Sequence, residues 1–296
     1  MKDQALWIYQ RLTQVQRSQR LSKMKEAGNV PVAILFYHRI ADNFPNDWTM
    51  SCDDFRNQLD WLESRFDIVS LEEAQRRIRS AENERPTVSI TFDDGYADNA
   101  LFAIPELVRR GLTATYFVST DFVRTGQPFP HDVKAGQPLK PNSIDELRRF
   151  KSQGIDIGAH TCSHCDLGTI ENESLARREI SDSKDELEEW LGTSVDYFAF
   201  PFGLPHNTSQ LAVDLVAESQ FSGFCTAYGA WNWPDAPGFH LRRIHADPGL
   251  QRLKNWLTLD SRKLEDPVTL PFTEPDQQSA EWAAQAGLFN VPVICE

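Results

Sequence analysis

Long apolar runs are absent from this sequence of 296 residues. No window approaches the ~18 uninterrupted apolar residues that a membrane-spanning helix needs. The start of the chain, MKDQALWIYQRLTQVQRSQRL, lacks the apolar core of a secretory signal peptide. These two absences predict a cytoplasmic protein without a transmembrane segment, and a secreted one only if the natural chain begins earlier.

Positive charge is scarce as well. The chain has 30 Lys and Arg against 43 Asp and Glu, a formal net charge of -13. Nucleic-acid binding requires a basic face that neutralises phosphates, and the sequence offers no Lys/Arg block to make one. The composition therefore argues against nucleic acid as a partner and favours a neutral or cationic one.

The cysteines form no even, regular framework. There are five of them, and their spacing predicts no disulfides; they are Cys52, Cys162, Cys165, Cys225 and Cys295. Cys162 and Cys165 have the spacing of half a zinc site, but no second cysteine pair exists to complete it. With 41% hydrophobic and 25% charged residues, the rest of the composition is that of an ordinary globular protein. The length is sufficient for one large domain, and no internal repeat is present.

Short apolar segments alternate with helical patterns along most of the chain. The segments predict strands at 31–38, 66–70, 87–92, 113–119, 155–160, 196–201, 224–229 and 240–245. Strand and helix in alternation are typical of a parallel α/β barrel or a wound sheet. In both architectures the functional site lies at the carboxyl ends of the strands.

Three regions depart from this alternation. A polar helix up to about residue 27 precedes the first strand, and packs across the barrel or mediates association. Residues 120–142 contain four prolines and no clear period, so we predict a long structured loop at the mouth of the site. After the domain at 28–260, a proline-containing tail at 261–296 holds one short helical pattern, SAEWAAQAG, and is expected to pack on the body.

Polar side chains follow four of the predicted strands. Asp93 and Asp94 follow the strand 87–92, His160 ends 155–160 with His164 four residues later, His38 ends the first strand, and 196–201 leads into PFG. Two histidines and a carboxylate are a frequent ligand set for a catalytic metal ion. Such an ion neutralises one aspartate and leaves the other as a general base, which explains two adjacent carboxylates after a buried strand. Taken singly, the motifs also fit a turn, two polar residues on a helix face and a hydrogen-bonded core histidine.

The motifs together resemble a known family. TFDDG, then HTCSH some 65 residues later and then FAFPFG resemble the metal-dependent polysaccharide deacetylases with NodB homology, carbohydrate esterase family four. The opening AILFYHRI is similar to the branch that includes the poly-N-acetylglucosamine deacetylases. The resemblance covers residues 31–260 and implies a distorted (β/α)7 barrel.

The resemblance also assigns roles by position. It implies that Asp94, His160 and His164 hold one divalent metal ion, most often zinc, with cobalt, nickel, manganese or iron as alternatives. It implies that Asp93 is the catalytic base and His38 the general acid. The backbone N–H of Phe202, after Pro201, matches the group that stabilises the oxyanion and contacts the substrate.

Two features depart from the family pattern. The arginine of an RxPYG motif, which orients the base in the wider family, is missing, and Arg242 and Arg243 are candidates to replace it. The late Leu-x-His motif is not clean, and His245 in RRIHAD competes with His38 for the role of acid, with His38 favoured by the branch resemblance.

The resemblance implies a hydrolase that removes N-acetyl groups from an amino-sugar polysaccharide or its precursor, in exopolysaccharide biosynthesis. Trp48, Trp231 and Trp233 lie in loop-like stretches, where aromatic rings either cover sugar faces or simply pack. Two other functions stay open at this point: hydrolysis of a different small amide by the same site, and carbohydrate binding without catalysis.

Overall fold

The computed structural model describes residues 2–264 and 268–275. Eleven strands occur in this part of the chain. In chain order they are β1 (Val32–Tyr37), β2 (Arg39–Ile40), β3 (Thr49–Met50), β4 (Asp67–Val69), β5 (Thr87–Phe92), β6 (Thr115–Val118), β7 (Asp156–Ala159), β8 (Tyr197–Ala199), β9 (Gly223–Thr226), β10 (His240–Arg242) and β11 (Ile244–His245).

Helices separate most of these strands. In chain order the α-helices are α1 (Lys2–Glu26), α2 (Cys52–Glu63), α3 (Leu71–Arg79), α4 (Ala103–Arg110), α5 (Thr120–Thr125), α6 (Pro130–Lys134), α7 (Ile144–Ser152), α8 (Glu173–Arg177), α9 (Ser183–Leu191), α10 (Gln210–Glu218) and α11 (Leu250–Leu257). A π-helical turn, Arg178–Asp182, joins α8 to α9. No helix in the described ranges is both long and apolar enough to cross a bilayer.

The sheet closes on itself through one segment of chain. Parallel pairing runs from β10 through β9, β8, β7, β6, β5 and β1 to β11. Both end strands belong to residues 240–245, because β10 pairs with β9 whereas β11 pairs with β1. Six whole strands and this shared segment form a seven-stranded circuit, while β4 pairs only with the first half of β5. The predicted distorted (β/α)7 barrel is confirmed.

The central strands are covered on both faces. Every residue of β1 and β5 is buried, as expected for parallel strands between a barrel interior and an outer layer of helices. Because all strands of the circuit are parallel, their carboxyl ends meet at one end of the barrel, which we call the mouth. The chain segments that follow β1, β5, β7 and β8 therefore converge there.

Segments outside the barrel lie along its surface. The helix α1 contacts α11, and the Arg17 guanidinium donates to the side chain and backbone oxygen of Asn255. Of the tail, residues 268–275 are described, and Phe272 packs against Phe224 and His240. The predicted short helix SAEWAAQAG and Cys295 lie outside the described residues.

The segment 120–142, predicted as a long structured loop, is partly helical. This segment begins with α5 and contains α6, each of which is shorter than two turns. Proline at the first position of α6 is compatible with a helix start, since its missing N–H would have no partner there. Short helices of this kind contain too few residues to show a helical period in the sequence.

Candidate active site

The turn after β5 gives its two aspartates different surroundings. The backbone N–H of Asp93 still donates to the Tyr37 carbonyl of β1, at 2.9 Å. Asp94 then adopts a left-handed backbone, with φ of 73°, and Gly95 follows with φ of 83°. A Cβ at Gly95 would lie 2.9 Å from Cγ1 of Val118, so glycine is required by both conformation and space. This turn separates the carboxylates, both of which are buried.

Asp93 is paired with Arg243. The guanidinium donates to both carboxylate oxygens, at 2.6 Å and 2.8 Å, and the arginine side chain is only 1% exposed. Burial would raise the pKa of Asp93, but the positive charge and hydrogen bonds of Arg243 hold it below its ordinary value. Of the two arginines considered from the sequence, Arg243 is the one that contacts this carboxylate, and it does so from the junction between β10 and β11.

Asp94 faces the two histidines of the HTCSH segment. Its Oδ1 lies 3.6 Å from Nε2 of His160 and 3.2 Å from Nε2 of His164. Burial opposes ionisation of Asp94, but the two neighbouring imidazoles hold its pKa well below the ordinary value. The three ligand atoms all lie within 4.8 Å of one another, and they form the one such group among the described residues.

This arrangement fits a divalent metal ion. Oδ1 of Asp94 is buried, and no donor in the described part of the chain forms a hydrogen bond with it. A buried carboxylate oxygen is costly unless something positive binds it. Nδ1 of His160 lies 2.7 Å from the Ala199 carbonyl. Since a carbonyl only accepts, Nδ1 carries the proton and Nε2 keeps a free lone pair for a metal. Two imidazoles and one carboxylate are a common zinc set that leaves a position open.

The segment that carries His164 is held by a residue that sequence reasoning missed. Glu179 lies in the π-helical turn between α8 and α9 and is 5% exposed. Its carboxylate accepts from the backbone N–H and the hydroxyl of Ser163, both at 2.9 Å. Thr161 and His164 on either side have positive φ angles of 64° and 58°. In the sequence, Glu179 is one acidic residue among many in a helical pattern, so no signal distinguishes it.

We predict that Glu179→Ala weakens metal binding by roughly 10- to 100-fold, the usual scale for residues that orient metal ligands. The reason is that Ser163 loses both acceptors and the strained backbone at His164 is no longer fixed. Competition with a chelator measures the affinity, and Glu189→Ala on the exposed face of α9 is the matched control. Equal affinities in the two variants would refute this role.

Two histidines, His38 and His245, lie close together at the mouth. His38 follows β1, and electrostatic interactions couple it to both Asp93 and Asp94. Burial lowers the pKa of His38, against the opposing effect of the two carboxylates. His245 ends β11, and its Nδ1 lies 3.0 Å from Oδ1 of Asp247. The two imidazole rings are 6.0 Å apart, so both lie at the mouth, but His245 already has a carboxylate partner.

The segment after β8 supplies a free backbone donor. Phe202 follows the buried Pro201 and has a left-handed backbone, with φ of 61°. Its ring is 5.0 Å from that of His164. Within the described part of the chain its N–H donates to no acceptor. An unpaired N–H beside the metal ligands is suited to bind a developing negative charge.

Aromatic residues border the site on two sides. Trp48 is 48% exposed, and its ring lies 4.9 Å from that of His38. On the other side, Phe129 and His131 of the 120–142 segment lie 5.5 Å and 6.3 Å from the ring of His164. The segment therefore lies at the mouth, as predicted, although it is partly helical.

The other two tryptophans considered for sugar binding lie elsewhere. Asn232, between them, pairs with Val32 at the amino-terminal start of β1. Trp231 is buried beside Pro31 and Pro86, and Trp233 packs against the core. The structure thus corrects the assignment of Trp231 and Trp233 to the substrate site, because their loop extends to the opposite end of the barrel.

The cysteines near the site make no second metal centre among the described residues. Cys162 and Cys165 are free thiols, as are Cys52 and Cys225. Burial raises the pKa of both Cys162 and Cys165 to about 12, so neither is a thiolate at neutral pH.

Comparison with known proteins gives a consistent result. The family model described as Polysaccharide deacetylase matches residues 80–232, more than half of the chain. A curated protein of Bacillus subtilis (strain 168), YxkH, whose name carries polysaccharide deacetylase as a provisional assignment, is 24% identical over 232 residues. That alignment covers 77% of this chain and 75% of the relative.

Solved structures with the same fold include two bacterial proteins. The Streptococcus pyogenes deacetylase PplD, in complex with acetate, has a TM-score of 0.65 at 22% identity, over 80% of this chain and 99% of that one. IcaB from Ammonifex degensii has a TM-score of 0.63 at 21% identity, over 86% of this chain and 97% of that one. At these identities the likeness establishes the barrel fold.

Proposed function

The chain belongs to the polysaccharide deacetylase family, and from this premise we propose that it is a metal-dependent hydrolase that removes N-acetyl groups from an amino-sugar polysaccharide or its precursor. One observation carries the proposal. Oδ1 of Asp94 is buried beside Nε2 of His160 and of His164 and accepts no hydrogen bond in the described part of the chain. The adjacent Asp93 is paired with Arg243. The two neighbouring carboxylates are thus equipped for different roles.

The proposed chemistry divides between the ion and the chain. A divalent ion held by Asp94, His160 and His164 would supply Lewis acidity, which lowers the pKa of water and polarises an amide carbonyl. Asp93 is placed to take the proton from the attacking water at a carboxylate oxygen. Arg243 keeps this carboxylate ionised and fixed in orientation, at the cost of making it a weaker base.

The remaining steps use the other side of the mouth. As the acetamide carbonyl becomes tetrahedral, the Phe202 N–H donates to its developing negative charge. His38 then gives a proton to the departing amine nitrogen, so that acetate and a free amine leave. Trp48, beside His38, is suited to cover the apolar face of a sugar ring.

Support for the reaction class also comes from the relatives. PplD is described as a deacetylase and its structure contains acetate, which is the acid that the proposed reaction releases. The identities of the metal ion and of the sugar stay predictions, drawn from the family resemblance.

A panel of acetylated compounds tests the proposal. Purified protein loaded with zinc or cobalt is incubated with oligomers of N-acetylglucosamine, with O-acetylated sugars and with small linear and cyclic amides, and the released acetate is measured. We expect turnover of the N-acetylated oligomers above all others. Preference for a small amide would favour the first alternative, and saturable binding of oligomers without acetate release would favour the non-catalytic one.

We predict that His164→Ala abolishes stoichiometric metal binding, because only two protein ligands are left. After the purified protein has been dialysed against a zinc solution, elemental analysis measures its zinc content. His206→Ala, which removes an exposed histidine, is the matched control and is expected to keep one ion per chain. Full occupancy in the His164 variant would overturn the assignment of the ligands.

A further inference from the structure

A second concave site lies away from the mouth. A cavity of about 500 Å³ is bounded by α1, α11 and the residues just before β1 and β5. Pro31 and Pro86 line it, so it opens near the amino-terminal ends of strands whose carboxyl ends carry the catalytic residues. Its volume is within the range of pockets that bind small molecules. None of the proposed catalytic residues lines it.

The charges of this cavity are opposite to those of the whole protein. Its lining contains five basic residues and no aspartate or glutamate, although the net charge of the chain is -13. Arg17 is neutralised by Asp260, at 3.3 Å. The other four, Arg11, Lys25, Arg65 and Lys254, make no ion pair with any residue in the described ranges.

These cations also act on one another. Burial lowers the pKa of Lys254, and the positive charges of Arg65 and Arg11 lower it further. Arg11, Arg65 and Lys254, without anions, repel one another, and an anion between them would relieve this repulsion. The shared positive potential therefore favours a negatively charged ligand.

Flat aromatic surfaces alternate with the charges. The Arg11 guanidinium lies 5.3 Å from the ring centre of Trp7, and Nζ of Lys254 lies 5.8 Å from that of Trp61. Trp231 also lines the cavity and is 3% exposed.

We propose that this cavity binds a small organic anion, a phosphate ester joined to a flat apolar group. The phosphate would pair with Arg11, Arg65 and Lys254, and the apolar group would lie against Trp7 and Trp61. A neutral sugar would leave these cations without a counter-charge, whereas an inorganic ion would leave the aromatic walls unused. This ligand is distinct from the proposed polysaccharide substrate, and the inference does not depend on the deacetylation reaction.

Calorimetric titration of the full chain tests the proposal. The probe is 1-naphthyl phosphate, with 1-naphthol and inorganic phosphate as matched compounds that each lack one half of it. We expect one saturable site for the ester and at least roughly 10-fold weaker binding of either half, since a hydrogen bond to a charged group contributes about that factor. Equal affinity for naphthol, or no saturation by the ester at about 10 mM, beyond the range of specific sites, would overturn it.

Substitutions in the lining of the cavity test whether the ester binds there. Arg65→Glu and Lys254→Glu are each expected to weaken binding of the ester at least 10-fold, roughly one charge-assisted hydrogen bond. Arg148→Glu on α7 makes the same change of charge far from the cavity and is expected to have no effect. Equal losses in the Arg148 and Arg65 variants would show non-specific attraction and refute the site. Melting temperature and metal content verify folding.

The phosphate could be carried by a soluble compound or by a lipid headgroup, and one further titration separates them. Phosphatidylcholine vesicles with and without phosphatidic acid are added to the protein with bound ester. Displacement only by the acidic vesicles supports a headgroup at this site, and no displacement supports a soluble ester.

Discussion

His38→Ala is expected to lower kcat by roughly 10²- to 10⁴-fold, the range for loss of general acid–base catalysis, while metal content stays unchanged. The amine nitrogen of a broken amide is a poor leaving group unless a proton reaches it. His38 is electrostatically coupled to Asp93 and Asp94, and its Nδ1 is buried without a partner in the described part of the chain. Steady-state kinetics on an N-acetylated oligomer measures the loss.

The pH dependence of kcat/KM tests whether His38 acts as the acid. A general acid must be protonated, so kcat/KM should fall as the pH rises through the pKa of His38. Burial lowers that pKa, which makes His38 a stronger acid but a less populated one, and the alkaline decline should begin below the pH expected for a solvent-exposed histidine. In His38→Ala this alkaline limb should disappear.

His245→Ala is the matched control, since it removes a neighbouring imidazole that already pairs with Asp247. We expect a much smaller loss of kcat and an unchanged alkaline limb. If the His245 variant instead shows the larger loss and lacks that limb, the acid belongs to the late motif, and the resemblance to the poly-N-acetylglucosamine deacetylase branch has misled the assignment.

Asp93→Asn is expected to lower kcat by roughly 10²-fold or more through loss of the base, with most of the metal retained. The amide cannot accept the proton from water, and it leaves the buried Arg243 without a counter-charge. Breaking a buried ion pair from one side costs about 3–5 kcal/mol, so the free energy of unfolding should also fall. Kinetics is therefore measured well below the melting temperature of the variant.

Asp94→Asn separates the two carboxylates. It should lose metal as well as activity, since Asp94 is the oxygen ligand of the candidate site. Similar metal loss in the Asp93 and Asp94 variants would show that base and ligand are not divided between neighbours in this way.

The strands could be predicted because their signal is local. A run such as 87–92 is apolar throughout since both faces of β5 are buried, and the same holds for β1. The division of 240–245 into β10 and β11 has no local signal. It arises because one short segment completes hydrogen bonding to β9 on one side and to β1 on the other, and pairing partners distant in sequence decide it.

The metal ligands of the candidate site could be predicted from the sequence, but the residue that positions them could not. Asp94, His160 and His164 follow strands whose ends must meet, so their convergence could be expected from the alternation of strands and helices. The contribution of Glu179 could not be, because it depends on a π-helical turn and on contacts across 16 residues. Trp231 was misplaced for the opposite reason: a loop-like sequence does not indicate which end of a barrel the loop reaches.

Because Arg243 lies late in the sequence, the catalytic site can be assembled only after most of the chain is present. All three candidate metal ligands lie within the first 164 residues, but the counter-charge of Asp93 comes from residue 243, in the segment that closes the sheet. A nascent chain, or a fragment that ends before this segment, would contain every ligand but would leave the carboxylate of Asp93, next to Asp94, without its counter-charge. The repulsion between the two carboxylates would disfavour a closed site until the last strand is added. Metal binding by such a fragment should therefore not be taken as evidence of an assembled enzyme.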